Sequence, residues 1–409
     1  MKYTHRALEE KFLRMNDFFK VLLVTGARQV GKTTMLRHLA EGTDRTYVTL
    51  DNYAARDLAR RDPALFLQTY PPPVLIDEIQ KAPGLTEQIK FIVDANESPG
   101  QFWLTGSQKF PMMKGIRESL AGRVGLLELY GLSQQEKFAA DWKPRTPDFA
   151  LEPLRERAKS RPFLDISRVF HHIWEGGLPK GVTAEDDLRT EYFNSYIETY
   201  LMRDVAEDGN VRDTLRFRRF LSAAAALAGD QLNYARLAEA AEISEPTARQ
   251  WILLLEGLGV IYLLPPFSNN ALKRLVKTPK LYFMDTGLCA FLASWLTPQT
   301  LMQGAVSGHY YENYIVLELV KQYAYGKNRA KLSYYRDSNR KEIDIIVEEN
   351  GMLHPLEIKK ASLPDRRGIK NFSLLDKSGL PRGGGGIICM CEEPTPIDEM
   401  NHYIPGYIL

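Results

Sequence analysis

Cysteine is nearly absent: Cys289, Cys389 and Cys391 are the whole set in 409 residues. An odd, sparse set without metal-ligand spacing excludes a disulfide framework and a zinc centre, and it fits buried thiols in a reducing compartment. Long apolar runs are missing as well, so no membrane span and no membrane partner are expected. Near the N-terminus Lys2, His5, Arg6, Glu9, Glu10 and Lys11 stand where a secretory leader would place an apolar core, which makes the cytoplasm the expected location. Charge of one sign is not in excess, since 53 Lys and Arg face 51 Asp and Glu for a net of +2. Bulk electrostatics therefore announce no polyanionic partner, and any nucleic-acid surface must come from local clustering. With hydrophobic residues at 44% and charged residues at 25%, the composition excludes a disordered chain. The length gives room for about two to four domains.

What the chain does contain is a complete G-x4-G-K-T sequence, Gly26, Ala27, Arg28, Gln29, Val30, Gly31, Lys32, Thr33, followed by Thr34. It sits directly after the apolar run Val21–Val24 and before the helix-forming stretch Met35–Ala40. A strand that turns through glycines into a helix N-terminus offers free backbone N–H groups and the positive end of the helix dipole to a phosphate chain. Lys32 is placed to reach the β- and γ-phosphates and Thr33 to hold Mg²⁺, so ATP and Mg²⁺ are the expected cofactors.

Val74-Leu75-Ile76-Asp77-Glu78 is a short apolar run ending in two carboxylates, as a buried parallel strand would. Successive strand residues face opposite ways, so the two acids cannot do one job. Asp77 is the candidate Mg²⁺ ligand and Glu78 the candidate base that orients the attacking water. Phe102 to Ser107 is another apolar strand running out into small polar residues, and Thr105 or Ser107 could touch the γ-phosphate.

Gly26 to Thr34, Leu75-Ile-Asp-Glu-Ile-Gln80, Leu104-Thr-Gly-Ser107 and Ser119-Leu-Ala-Gly-Arg-Val124 together resemble the AAA+ ATPases. The likeness is to the prokaryotic group whose ATPase core precedes a nuclease-like C-terminal domain of unassigned role. The resemblance implies a sensor role for Ser107 and an arginine-finger role for Arg123, with Arg117 as competitor. A finger that acts in trans would require a homo-oligomer.

Strand-like and helical stretches alternate to about residue 135, as a parallel sheet with crossover helices requires. Residues 141–162, with four prolines and mixed charge, read as a connector or a small irregular insertion, and Phe163 to Arg219 as a helical lid. Asn233–Ala241, a turn and Glu245–Leu258 read as a helix-turn-helix, with Val260–Leu264 and Lys280–Met284 as the strands of a wing. Thr247, Arg249 and Gln250 are a thin set for base reading, whereas the wing carries Lys273, Arg274, Lys277 and Lys280. Both a protein partner and DNA or RNA are open to such a module.

In the last hundred residues Asp344 and Glu357 lie on two strand segments joined through Asn350-Gly351, a hairpin signal. A tight turn pairs Glu349 with Met352 and puts Asp344 opposite Glu357, with Lys359 on the same face. Facing carboxylates repel unless a cation lies between them, which points to Mg²⁺ or Mn²⁺ and to Lys359 as a catalytic cation. This arrangement resembles the PD-(D/E)XK nucleases, and Glu312 matches their upstream acid. By that resemblance Glu312, Asp344 and Glu357 hold metal. Arg336, Arg340, Lys341, Lys360, Arg366, Arg367 and Lys370 are available to track a phosphate backbone.

The expected architecture is α/β: a P-loop NTPase parallel sheet core (1–140), a connector and helical lid (141–212), a winged-helix module (213–297) and an α/β restriction-endonuclease-like domain (298–409). Two functions follow. In one, ATP state is coupled to nuclease action on nucleic acid; in the other, an ATP-regulated switch binds a protein partner and the nuclease-like fold is inactive.

Overall fold

The apolar runs of the first 130 residues become five strands: β1 (Val21–Thr25), β2 (Thr46–Thr49), β3 (Val74–Asp77), β4 (Phe102–Thr105) and β5 (Val124–Glu128). They form one sheet in the order β2-β3-β4-β1-β5, parallel at every pairing. In the computed structural model, residues 3–106, 119–138, 146–209, 211, 213–267 and 278–409 are described. Every residue of β1, β3 and β4 is buried, as strands covered on both faces by helices require. The outer strands β2 and β5 mix exposed and buried positions. Leu23, Ile76 and Leu104 meet Ile89 and Val93 of the Leu85–Ala95 helix in one core. Truncating Leu104 to alanine there would cost about 2–5 kcal/mol. Because β4 lies between β1 and β3, the carboxyl ends of three strands converge where the phosphate loop leaves the sheet.

The chain divides into two compact units, Met1–Leu132 with Gly257–Val260, and Ser133–Glu256 with Ile261–Leu409. Three of the four expected segments thus fall largely in the second unit. Its first part is helical, with Ile166–Glu175, Asp186–Tyr196 and Thr214–Ala226 among its helices. The segment 141–162, expected as a connector or a small irregular insertion, contains a helix, Leu151–Lys159. Pro153 does not break this helix, because in a first turn the N–H that proline lacks would have had no intrahelical partner.

Tyr234–Ala241 and Glu245–Gly257 are the two helices expected around residue 243. Asn233 caps the first by accepting the Arg236 N–H at 3.0 Å, and Glu242 ends it in the left-handed region at φ 55°. β6 (Ile261–Leu264) and β7 (Lys280–Phe283) then pair antiparallel, with Ile261 opposite Phe283. The expected wing cations Lys273, Arg274 and Lys277 lie outside the described residues.

The C-terminal strands are β8 (Lys331–Arg336), β9 (Glu342–Glu349), β10 (Met352–Ile358), β11 (Gly385–Cys389), β12 (Thr395–Pro396) and β13 (Asn401–Pro405). They order as β12-β13-β11-β10-β9-β8, with β9 and β10 antiparallel and β10, β11 and β13 parallel. The hairpin has the expected register, Met352 opposite Glu349. β9 is buried on both faces, at Ile343, Ile345 and Val347 on one and at Asp344 and Ile346 on the other. A bridge between Pro266 and Tyr334 of β8 ties the chain after β6 to this sheet.

Candidate functional site

The loop after β1 is shaped by two glycines. At Gly26, φ is 141° and a Cβ would lie 2.1 Å from the Leu129 carbonyl oxygen, so no other residue fits. Gly31, at φ 96°, caps the Lys32–Ala40 helix from the left-handed region. Val30 is buried, Ala27, Arg28 and Gln29 are partly exposed along the loop, and Thr34 faces outward in the first helical turn. Lys32 is 7% exposed, and its Nζ donates to the carbonyls of Gly26 at 2.9 Å and Ala27 at 2.8 Å. The ammonium is thus held in the mouth of the loop, where phosphate oxygens would meet it.

Asp77 is the hub. Its Oδ1 accepts from Thr33 Oγ1 at 2.7 Å and from the Thr105 hydroxyl, and its Oδ2 accepts from Tyr47 OH at 3.3 Å. Threonine and aspartate from two different elements meet there because Thr105 on β4 spans the gap between β1 and β3. Burial and the Asp77 charge both raise the Tyr47 phenol above its ordinary range. The hydroxyl–carboxylate pair of Thr33 and Asp77 suits a hard divalent ion, so these residues fit Mg²⁺.

Glu78 adopts φ 60°, a left-handed conformation that costs a non-glycine residue about 1 kcal/mol and is kept where surroundings dictate it. Its N–H donates to Thr105 Oγ1 at 3.1 Å, and its carboxylate accepts from the Gln80 amide. The turn separates the two acids, Asp77 toward the loop and Glu78 toward Gln80. Of the remaining expected residues, Ser107 and Arg117 lie outside the described residues. Arg123 is engaged within its own chain: its guanidinium grips Asp94, with Nη2 at 3.0 Å from Oδ2, and donates to Ala121 O at 3.0 Å.

Sequence reasoning missed Arg6. This buried arginine donates to Val30 O at 2.6 Å and Tyr130 O at 2.7 Å, tying the phosphate loop to the chain after β5. Nothing in its local sequence signals those contacts.

The second constellation is in the C-terminal sheet. Extending the hairpin register one step beyond Leu356 and Ile345 sets Glu357 opposite Asp344. Asp344 Oδ2 accepts the Ile358 N–H at 2.8 Å, while Lys359 Nζ lies 2.7 Å from Glu357 Oε1 and 3.6 Å from Asp344 Oδ2. The four expected residues Glu312, Asp344, Glu357 and Lys359 are brought together. Burial, then the Asp344 charge, pushes the Glu357 carboxyl up to about 8, and the same causes raise Glu312.

The expected metal role of Glu312, Asp344 and Glu357 is not supported by their arrangement. Among the described residues no group of three or more His, Cys, Asp or Glu side chains is arranged to hold a metal ion. A lysine stands there instead. Lys280 of β7, expected on the surface of a wing, is 3% exposed, and its Nζ lies 2.8 Å from Glu312 Oε1, 2.6 Å from Glu342 Oε1 and 3.8 Å from Asp344 Oδ1. Tyr282 OH donates to Glu312 Oε1 at 2.6 Å. Burial opposes the Lys280 charge, yet Glu312, Asp344 and Glu342 together hold its ammonium well above the ordinary range.

The basic residues expected to track a phosphate backbone are partly committed elsewhere. Arg336 pairs with Glu342 at 3.4 Å, Arg367 pairs with Asp365 at 2.5 Å, and Lys360 binds Ser307 Oγ at 2.8 Å. Arg249, a candidate base reader, stacks over the Tyr234 ring at 4.1 Å. All three cysteines are free; Cys289 and Cys389 are buried, whereas Cys391, expected to be buried as well, is partly exposed. Among the described residues no helix is long and apolar enough to cross a membrane.

Comparison with known proteins gives an AAA domain at residues 18–138, a domain of unknown function (DUF8612) at 166–299 and another (DUF4143) at 307–409. Among solved structures, a Walker-type ATPase of Pyrococcus abyssi is similar at 15% identity and a TM-score of 0.46, covering 71% of this chain and 96% of that one. The RuvB Holliday junction branch migration motor of Thermotoga maritima is similar at 17% identity and a TM-score of 0.30, covering 63% of this chain and 86% of that one. Two relatives, the uncharacterized proteins Rv2008c of Mycobacterium tuberculosis and Mb2031c of Mycobacterium bovis, are each 30% identical over 358 residues, covering 87% of this chain and 74% of theirs. The AAA domain and the phosphate-loop geometry support ATP binding on a P-loop ATPase fold. With that identity and coverage, the chain belongs to the family of these mycobacterial proteins, and it carries its AAA domain at residues 18–138.

Proposed function

We propose that this protein binds ATP with Mg²⁺ at residues 26–34, hydrolyses it, and uses the nucleotide state as a switch. The observation that carries this reading is the meeting of Thr33, Asp77, Thr105 and Glu78 at the carboxyl ends of β1, β3 and β4. Lys32 would leave its two loop carbonyls for phosphate oxygens, and Thr33 and Asp77 would hold the ion. Bound Mg²⁺ supplies charge neutralisation and polarisation of the phosphates. Glu78 orients water once Gln80 releases its carboxylate, Ser107 reads the γ-phosphate, and Arg123, freed from Asp94, completes the site of a neighbouring copy. Calorimetric ATP binding together with Mg²⁺-dependent phosphate release tests this. Lys32→Ala should abolish both, and undiminished binding by that variant would reject the assignment.

For the second unit, the Lys280 contacts favour a binding module over a nuclease. On this reading the helix pair 234–257 and the β6–β7 hairpin form a winged helix that docks a protein partner, and the nuclease-like sheet is a scaffold. The convergence of Glu312, Asp344, Glu357 and Lys359 supports the second reading, metal-dependent cleavage of DNA or RNA. Asp344-dependent cleavage with Mg²⁺ or Mn²⁺ would establish it.

A further inference from the structure

We infer that Lys280 is the resident cation of the C-terminal carboxylate cluster and that it excludes a divalent ion from a site otherwise composed to take one. This deepens the binding-module reading of the second unit. Carboxylates packed this closely need positive charge among them, and the cluster meets that need from within the chain. Lys280 Nζ contacts Glu312, Glu342 and Asp344, while Lys359 Nζ contacts Glu357 and Asp344. The Lys280 ammonium lies among acids of both the Ser307–Tyr325 helix and β9, so a metal bridging those two elements would compete with it for the same carboxylates. The lysine is firmly placed, since β7 is buried throughout and the neighbouring Tyr282 shares Glu312 Oε1. A separate observation shows that the site is left short of a partner: Glu357, 9% exposed, has its Oε2 buried without a hydrogen bond. Removing the lysine charge while keeping its bulk should therefore open a site for a hard cation with carboxylate ligands.

Mn²⁺ alone is the probe. Nucleotide-free full-length protein is titrated with Mn²⁺, bound ion being read from loss of the free-ion electron paramagnetic resonance signal. Mn²⁺ uptake by the wild type should be unchanged by Asp344→Asn. Lys280→Met should melt lower in chelator, take up an additional Mn²⁺, regain melting temperature with it, and lose that gain when Asp344→Asn is added. Wild-type uptake that falls on Asp344→Asn would overturn the inference, as would a folded Lys280→Met protein that gains no ion. If Lys280→Met does not fold, the wild-type arm still decides, joined by Lys280→Arg, which keeps the charge and should show no Asp344-dependent uptake. A cleavage assay on the same wild-type samples separates the two claims. Asp344-dependent cleavage without Asp344-dependent Mn²⁺ uptake rejects the binding-module reading and leaves the resident lysine standing.

Discussion

Arg6 carries out a task that no motif residue can. Its planar fork reaches two carbonyls at once, Val30 O within the phosphate loop and Tyr130 O beyond β5, from a buried position. An ammonium cannot span both, so Arg6→Lys should not rescue Arg6→Ala. Each variant should lose about 1.5–3 kcal/mol in urea unfolding and bind ATP more weakly by calorimetry. Wild-type stability and affinity in Arg6→Lys would mean that the bridge is dispensable. The motif residues were readable in the sequence because their chemistry fixes local conformation: Gly26 and Gly31 need positive φ, and Asp77 ends a buried strand. Arg6 and Lys280 were not readable. Arg6 meets Tyr130 across 124 residues and Lys280 meets Glu312 across 32, and no periodicity encodes such a pairing.

At the level of elements, the end of the Ile166–Glu175 helix holds a buried charge network that sets acid sensitivity. Lys137 Nζ lies 3.0 Å from Glu175 Oε2, and His172 Nδ1 lies 3.3 Å from the same oxygen. Burial pushes the Glu175 carboxyl up, but His172 and Lys137 outweigh it and bring it down to about 2. Burial also lowers the His172 imidazole. Both groups bind protons less readily when folded, so their stabilisation is present above the unfolded values, 6.5 for His172 and 4.5 for Glu175, and is lost as pH falls below them. Glu357 has the opposite sign: its contribution is present below 4.5 and is lost as pH rises through about 8. Thermal unfolding across pH 3–7 should show a steep acid limb that is blunted in Glu175→Gln. That variant should also lose about 3–5 kcal/mol at neutral pH by leaving Lys137 buried and unpaired. An unaltered acid limb would remove the network from this role. Strand positions were legible here because apolar runs bounded by turn residues leave little choice. The Lys280 cation beside Asp344 was not, since it reaches there from β7, far away in the sequence.

For the whole molecule, the question is whether one chain suffices. Arg123 is tied to Asp94 of its own chain, so a trans role requires that pair to open. If it does, hydrolysis per chain should rise with protein concentration, and Arg123→Ala should bind ATP yet turn over about 10³-fold more slowly. Flat specific activity across a dilution series, with no assembly in ultracentrifugation, would leave Arg123 a structural ion pair. Domain grouping was only partly legible because composition marks linkers, whereas the pairing of Pro266 with Tyr334 depends on tertiary contacts. The central claim is hydrolysis at the phosphate loop, and Glu78→Gln addresses it most directly because it removes the water-orienting carboxylate and leaves Lys32, Thr33 and Asp77 in place. ATP affinity by calorimetry should stay within a few-fold of wild type while Mg²⁺-dependent phosphate release falls by about 10²-fold or more. Undiminished phosphate release from a Glu78→Gln protein that binds ATP normally would contradict the account.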